Sequence, residues 1–188
     1  SRRAKRRCKS NLMIDPLLVW IALACTATLF AHAAVAKAMD LVLFEQHLAA
    51  LGVPHAALGV ASRAVPAAEA LAALLLFTPW RAAGAVLAVA LLLLYAAVMA
   101  LHVARGRTPD CGCGGEPLPV SWALVARNGA LAALAAVAAA PMTARAMGVG
   151  DFFVVAAALL LATLLYAALH QVLRHRAVHS QRALFRRT

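Results

Sequence analysis

RAAGAVLAVALLLLYAAVMALHVA, residues 81–104, carries no charged side chain between Arg81 and His102. A helix crosses a bilayer with about 20 mainly apolar residues, and this run supplies that length. Four more runs of the same kind surround it: residues 16–39, 56–80, 119–140 and 152–173. Peptide groups in lipid must find hydrogen bonds within their own segment, so such runs become helices. An outer-membrane barrel needs alternating polarity along each strand, and these runs are continuous. The pattern predicts an all-α, polytopic transmembrane helical bundle of four to five spans. Only 13% of residues are charged and mean hydropathy is +0.83, where a soluble domain would carry roughly a quarter charged residues. The chain divides into a basic N-terminus (1–15), the bundle (16–173) with a polar loop at 105–119, and a basic tail (174–188).

The net charge of +11 lies at the two ends. Arg2, Arg3, Lys5, Arg6, Arg7 and Lys9 form one block, and Arg174, Arg176, Arg182, Arg186 and Arg187 the other. Basic flanks beside apolar helices orient a chain and meet anionic membrane lipid, so nucleic acid is not the expected partner. The rule that cytoplasmic flanks are positive puts the N-terminus inside and the 40–55 loop, which lacks Lys and Arg, outside. The 105–119 loop then faces the periplasmic or extracellular side of a bacterial cytoplasmic membrane. Five spans place the tail outside too, against its positive charge; either one run fails to cross or the tail's charge serves another purpose. The first run reads as a retained anchor despite Ala31-His32-Ala33, which mimics a cleavage site, because it exceeds the usual signal-peptide core of about 7–15 residues. Trp20, Trp80 and Trp122 fall near predicted helix ends, where indole favours the headgroup level.

Within the polar loop stands Cys111-Gly112-Cys113. Joining two such sulfurs needs Cα atoms within roughly 4.4–6.8 Å, so the backbone must bend, which Gly112 permits. The ring would be small and strained, and strained exposed disulfides are labile and oxidising. This favours a catalyst that exchanges disulfides over a structural staple. Two thiolates with His102 as a third ligand are the competing metal reading. Arg105 and Arg107 favour thiolate while Asp110 and Glu116 oppose it. Cys8 reads as a reduced cytoplasmic thiol, and Cys25 as a small packing residue.

Ionisable groups inside lipid are costly and need a partner or a purpose. Lys37, with Asp40 beyond it, closes the first run. Arg63 and Glu69 lie in the second, His102 ends the third, and Arg127 and Asn128 lie in the fourth. Apart from Glu69, near the midplane, these groups are expected on the side of the cysteines. Glu69 is expected either in a clamp with Lys or Arg or on a proton path. Tyr95 and Tyr166 read as packing residues.

Four elements in order then carry a resemblance: Lys37-x-x-Asp40, Pro66-x-x-Glu69, Asp110-Cys111-Gly112-Cys113-x-Gly115 and Arg127-Asn128. This order, over roughly residues 12–173, resembles the MauE family of methylamine-utilisation membrane proteins within a DoxX-like, redox-associated group. That family usually has Phe where Gly114 stands here. The resemblance implies a role in maturing a periplasmic client, such as the disulfide-rich methylamine dehydrogenase, with a thioredoxin-like partner. The expected function is thiol–disulfide exchange at catalytic Cys111 and Cys113, supported by Lys37, Asp40, Glu69, Arg127 and Asn128. A quinone in the bundle is one electron route, with Glu69 or Arg127 balancing protons. The alternatives are a non-catalytic assembly factor and a cysteine-based metal carrier.

Overall fold

A computed structural model describes residues 13–106 and 120–185, with side chains to residue 172. Cys8, the 107–119 segment with Cys111 and Cys113, and the side chains of both basic ends lie outside the described residues. Among the described residues six helices follow in order: α1 (Pro16–Met39), α2 (Leu41–Ala50), α3 (His55–Leu76), α4 (Arg81–Ala104), α5 (Trp122–Ala138) and α6 (Val149–Phe185). Four of them, α1, α3, α4 and the Val149–Val172 part of α6, are long and apolar enough to cross a membrane, while α5 is a shorter apolar helix. The protein is an all-helical polytopic bundle. At ~1.5 Å per residue α5 still covers about 25 Å.

Local chemistry sets the boundaries. The Asp15 carboxylate accepts the Leu17 amide at 2.8 Å, and Pro16 occupies the first turn of α1, where its missing N–H costs nothing. Asp40 ends α1 in a non-helical conformation and caps α2 by accepting the Leu43 amide at 2.9 Å. This corrects the expectation of a loop over 40–55. The cap satisfies one free amide of the first turn, and Phe44 and Leu48, four residues apart, are buried on the same helix face. Gly52, at φ 86°, closes α2: its amide bonds to the Ala49 carbonyl and that of Val53 to the Leu48 carbonyl, a pairing that needs the left-handed residue between them.

The helices pack through small residues. One buried cluster joins Phe30 to Ala72, Ala73, Ala88, Ala132 and Ala135, and another joins Ala22, Leu23 and Ala27 to Leu76, Ala85 and Ala138. Small side chains let backbones approach in lipid, where no hydrophobic force draws helices together. Closest is the α3–α4 turn, where a Cβ on Gly84 would sit 2.9 Å from both the Leu75 Cβ and the Leu76 backbone nitrogen. Gly84→Val should therefore cost roughly 1–3 kcal/mol by overpacking, whereas Gly129, with nothing within 4 Å of its would-be Cβ, should accept alanine. Thermal unfolding in detergent, followed by tryptophan emission, checks the pair. An equal response of the two variants would remove the close-approach account.

At the end of the bundle away from α2, Arg81 donates to the Ala138 and Ala140 carbonyls, both at 3.1 Å, where α5 exposes its last unpaired acceptors. Ile14 exchanges backbone bonds with Pro141 and Thr143. Arg145 bonds to Asp151 at 2.9 Å and Asp15 at 3.3 Å, and these carboxylates, Asp151 foremost, hold its guanidinium above its ordinary pKa. α6 leans on α1, and its apolar stretch has no buried residue. Phe152, Phe153, Leu160, Leu161, Leu164 and Leu165 all point outward, as a lipid-facing helix requires.

Candidate functional site

Beneath α2, three helices meet at one carboxylate. Glu69 of α3 is 1% exposed and accepts the Lys37 ammonium of α1 on both oxygens, at 2.7 and 2.8 Å. The Tyr95 hydroxyl of α4 donates to the same Oε1 at 2.7 Å. The Lys37 nitrogen also lies 5.7 Å from the ring centroids of Phe44 on α2 and of Tyr95, within cation–π range. Both charges are thus matched where water is scarce, and the unit joins α1, α3 and α4 under an α2 roof. Of the two expected roles for Glu69, this geometry is the clamp, with Lys37 as partner. Tyr95 is more than packing. Its hydroxyl stands in the apolar run 81–104, and a buried tyrosine hydroxyl usually finds a partner; that was the signal to follow.

Further bonds tie down the same end. The Ser62 hydroxyl, buried in α3, donates to Glu45 of α2 at 2.9 Å. His102 Nε2 lies 3.2 Å from the Leu51 carbonyl at the end of α2, and its Nδ1 is buried with no partner among the described residues. Gly106, at φ 68°, ends α4, and Val120, 2% exposed, packs with Met99 and Leu124 just before α5. The two stems of the segment that contains the cysteine pair are therefore anchored to the bundle, one through His102 and the other through Val120.

The remaining expected residues are dispersed. Asp40 is an exposed helix cap, and Arg63 is exposed with Nη1 on its own helix's Gly59 carbonyl at 3.0 Å. Asn128 is buried, donating to the Leu124 carbonyl at 3.0 Å and facing the Met99 sulfur at 3.8 Å. Arg127 turns the other way, its guanidinium 5.5 Å from the Tyr166 ring centroid of α6. The polar groups expected on the side of the cysteines do not form one cluster. Lys37 and Glu69 share the core, and Arg127 faces α6. Among the described residues no three His, Cys, Asp or Glu side chains are grouped to hold a metal ion.

These features define a class: a multi-pass membrane protein whose spans are pinned by a buried ion cluster below one end, with a paired-cysteine segment between two anchored stems. Comparison with known sequences narrows it. The profile of the family described as Methylamine utilisation protein MauE matches residues 14–141, and the chain belongs to that family. It is 40% identical over 131 residues to the Methylamine utilization protein MauE of Paracoccus denitrificans, covering 67% of this chain and 70% of that one. It is 37% identical over 143 residues to the protein of the same name from Paracoccus versutus, covering 73% and 77%. No solved structure matches the chain.

Proposed function

We propose that the protein is a thiol–disulfide redox protein of the bacterial cytoplasmic membrane that serves methylamine utilisation by forming disulfides in a periplasmic client, acting through a thioredoxin-like carrier. Cys111 and Cys113 are the reacting pair, presented on the periplasmic face. The observation that carries this is the sequence Cys-Gly-Cys held between two stems that are each fixed to the bundle, in a chain of the MauE family. One glycine between the two cysteines makes their disulfide ring small and strained, and a strained, accessible disulfide is a good donor. In the reaction a carrier thiolate attacks the Cys111–Cys113 bond and forms a mixed disulfide, releasing one cysteine as thiolate. The carrier's second thiolate then displaces the other cysteine. The carrier leaves oxidised, and the pair remains as a dithiol until two electrons are removed. The Lys37–Glu69–Tyr95 unit supports this as a brace, keeping α1, α3 and α4 in register beneath the stems.

Titrating membranes against defined thiol–disulfide buffers, with alkylation gel shifts as the readout, should give one two-electron transition for Cys111 and Cys113. An impermeant maleimide added to intact spheroplasts should label both when reduced. Cysteines locked in one state at every potential would leave a non-catalytic assembly factor, and labelling only after lysis would place the pair in the wrong compartment.

A further inference from the structure

Re-oxidation of the dithiol needs an acceptor, and a cavity between α1, α5 and α6 has the form of a site for one. It measures about 360 Å³, within the range of small-molecule sites. Its wall is apolar around Leu131, Leu134 and Leu159, with His32 of α1 and Tyr166 of α6 on its rim toward the α2 end. Arg127 is not part of this wall; it stands one turn above Leu131 on the same face of α5, over the Tyr166 ring, and its Nε and Nη1 are buried without a hydrogen-bond partner among the described residues. Unmet guanidinium donors inside a bundle are expensive. They call for an acceptor oxygen at that spot, on a molecule whose remainder is apolar.

Depth selects the molecule. At ~1.5 Å rise per residue, Arg127 lies about 8 Å below Trp122 at the start of α5 and His32 about 10 Å below Met39 at the end of α1, and Tyr166 lies against the Arg127 guanidinium. The three share one level, beneath the plane where tryptophan and phospholipid phosphates reside. An arginine reaching for phosphate would extend outward, but this one is directed across to α6. We propose that the cavity binds an isoprenoid quinone, with a ring carbonyl accepting from Arg127 and the tail running along Leu134 and Leu159 toward the membrane centre. The inference rests on the redox reading above for its purpose: the dithiol gives two electrons and two protons to the ring, leaving a disulfide and a quinol.

The test uses the full chain in nanodiscs, titrated with decylubiquinone and followed by tryptophan quenching. Saturable binding is expected, weakened tenfold or more in both Arg127→Leu and Ala162→Phe, the latter filling the cavity from α6, and less in Arg127→Lys. A Cys111→Ser/Cys113→Ser variant should bind as the wild type does. Tight, Arg127-dependent binding by a protein whose cysteines never cycle would keep the site and remove the redox reading. Cycling cysteines with quinone binding indifferent to both cavity variants would keep that reading and overturn the site. Arg127-dependent displacement by phosphatidylglycerol, with no competition from quinone, would also overturn it.

Discussion

Glu69→Leu should destabilise the bundle by about 3–5 kcal/mol, because it leaves the Lys37 ammonium unpaired in the interior. Lys37 is 12% exposed at its side chain and Glu69 1%, so water cannot replace the lost partner. The Phe44 and Tyr95 rings, each 5.7 Å from the ammonium, return only ~0.5–2 kcal/mol, which does not close the gap. The order of variants follows from which charges remain. Tyr95→Phe removes one bond to a charged acceptor, worth about 1.5–3 kcal/mol, and keeps both Lys37 contacts to Glu69. Lys37→Met/Glu69→Leu removes both charges and should recover most of the loss, since a buried pair replaced by apolar groups is often neutral. Unfolding in detergent and abundance in the membrane measure the series. A Glu69→Leu protein as stable as its parent, or a double variant no better than the single, would mean that the three-helix clamp contributes little.

Cys111→Ser and Cys113→Ser should each abolish turnover, with unlike intermediates. Serine is far too weak a nucleophile to stand in for thiolate. Losing either removes the disulfide that reduced carrier attacks, so no carrier is oxidised. The cysteine that remains can react only as a thiolate on the disulfide of oxidised carrier; with its neighbour gone the exchange stops there, and a mixed disulfide should accumulate on non-reducing gels for the cysteine that meets the carrier and not for the other. Both variants should unfold at the parent's temperature, because the clamp and the alanine-rich clusters are built from described residues of the helices without either cysteine. Undiminished exchange by either variant would end the catalytic reading. A drop in unfolding temperature matching the loss of activity would recast the pair as structural.

How much was visible beforehand differs by residue. The runs 16–39 and 81–104 coincide with α1 and α4, because a span is defined by apolar length and by the Pro and Arg at its borders. α2 stands in a stretch, 40–55, that reads as a loop. It is only ten residues long, and its two buried positions, Phe44 and Leu48, become legible as a face once a bundle is there to cover them. Lys37 and Glu69 were marked as costly, but they lie 32 residues apart, and separation along a chain does not say which faces meet. Arg127 and Asn128 make the point most directly. Adjacent on one helix, they diverge by ~100° about its axis, so Asn128 turns in to Met99 while Arg127 turns out to Tyr166.

What the chain's order of residues determined by itself is the class of solution. Long uncharged runs must become helices in lipid, and one glycine between two sulfurs makes any bond between them strained. What only the tertiary structure decided is partnership. Glu69 has Lys37 and Tyr95, while Nε and Nη1 of Arg127 lack a hydrogen-bond partner among the described residues. The physical reason is that burial cost belongs to single residues and can be read one at a time, whereas its compensation depends on helix rotation and neighbour choice, which packing of the whole bundle sets.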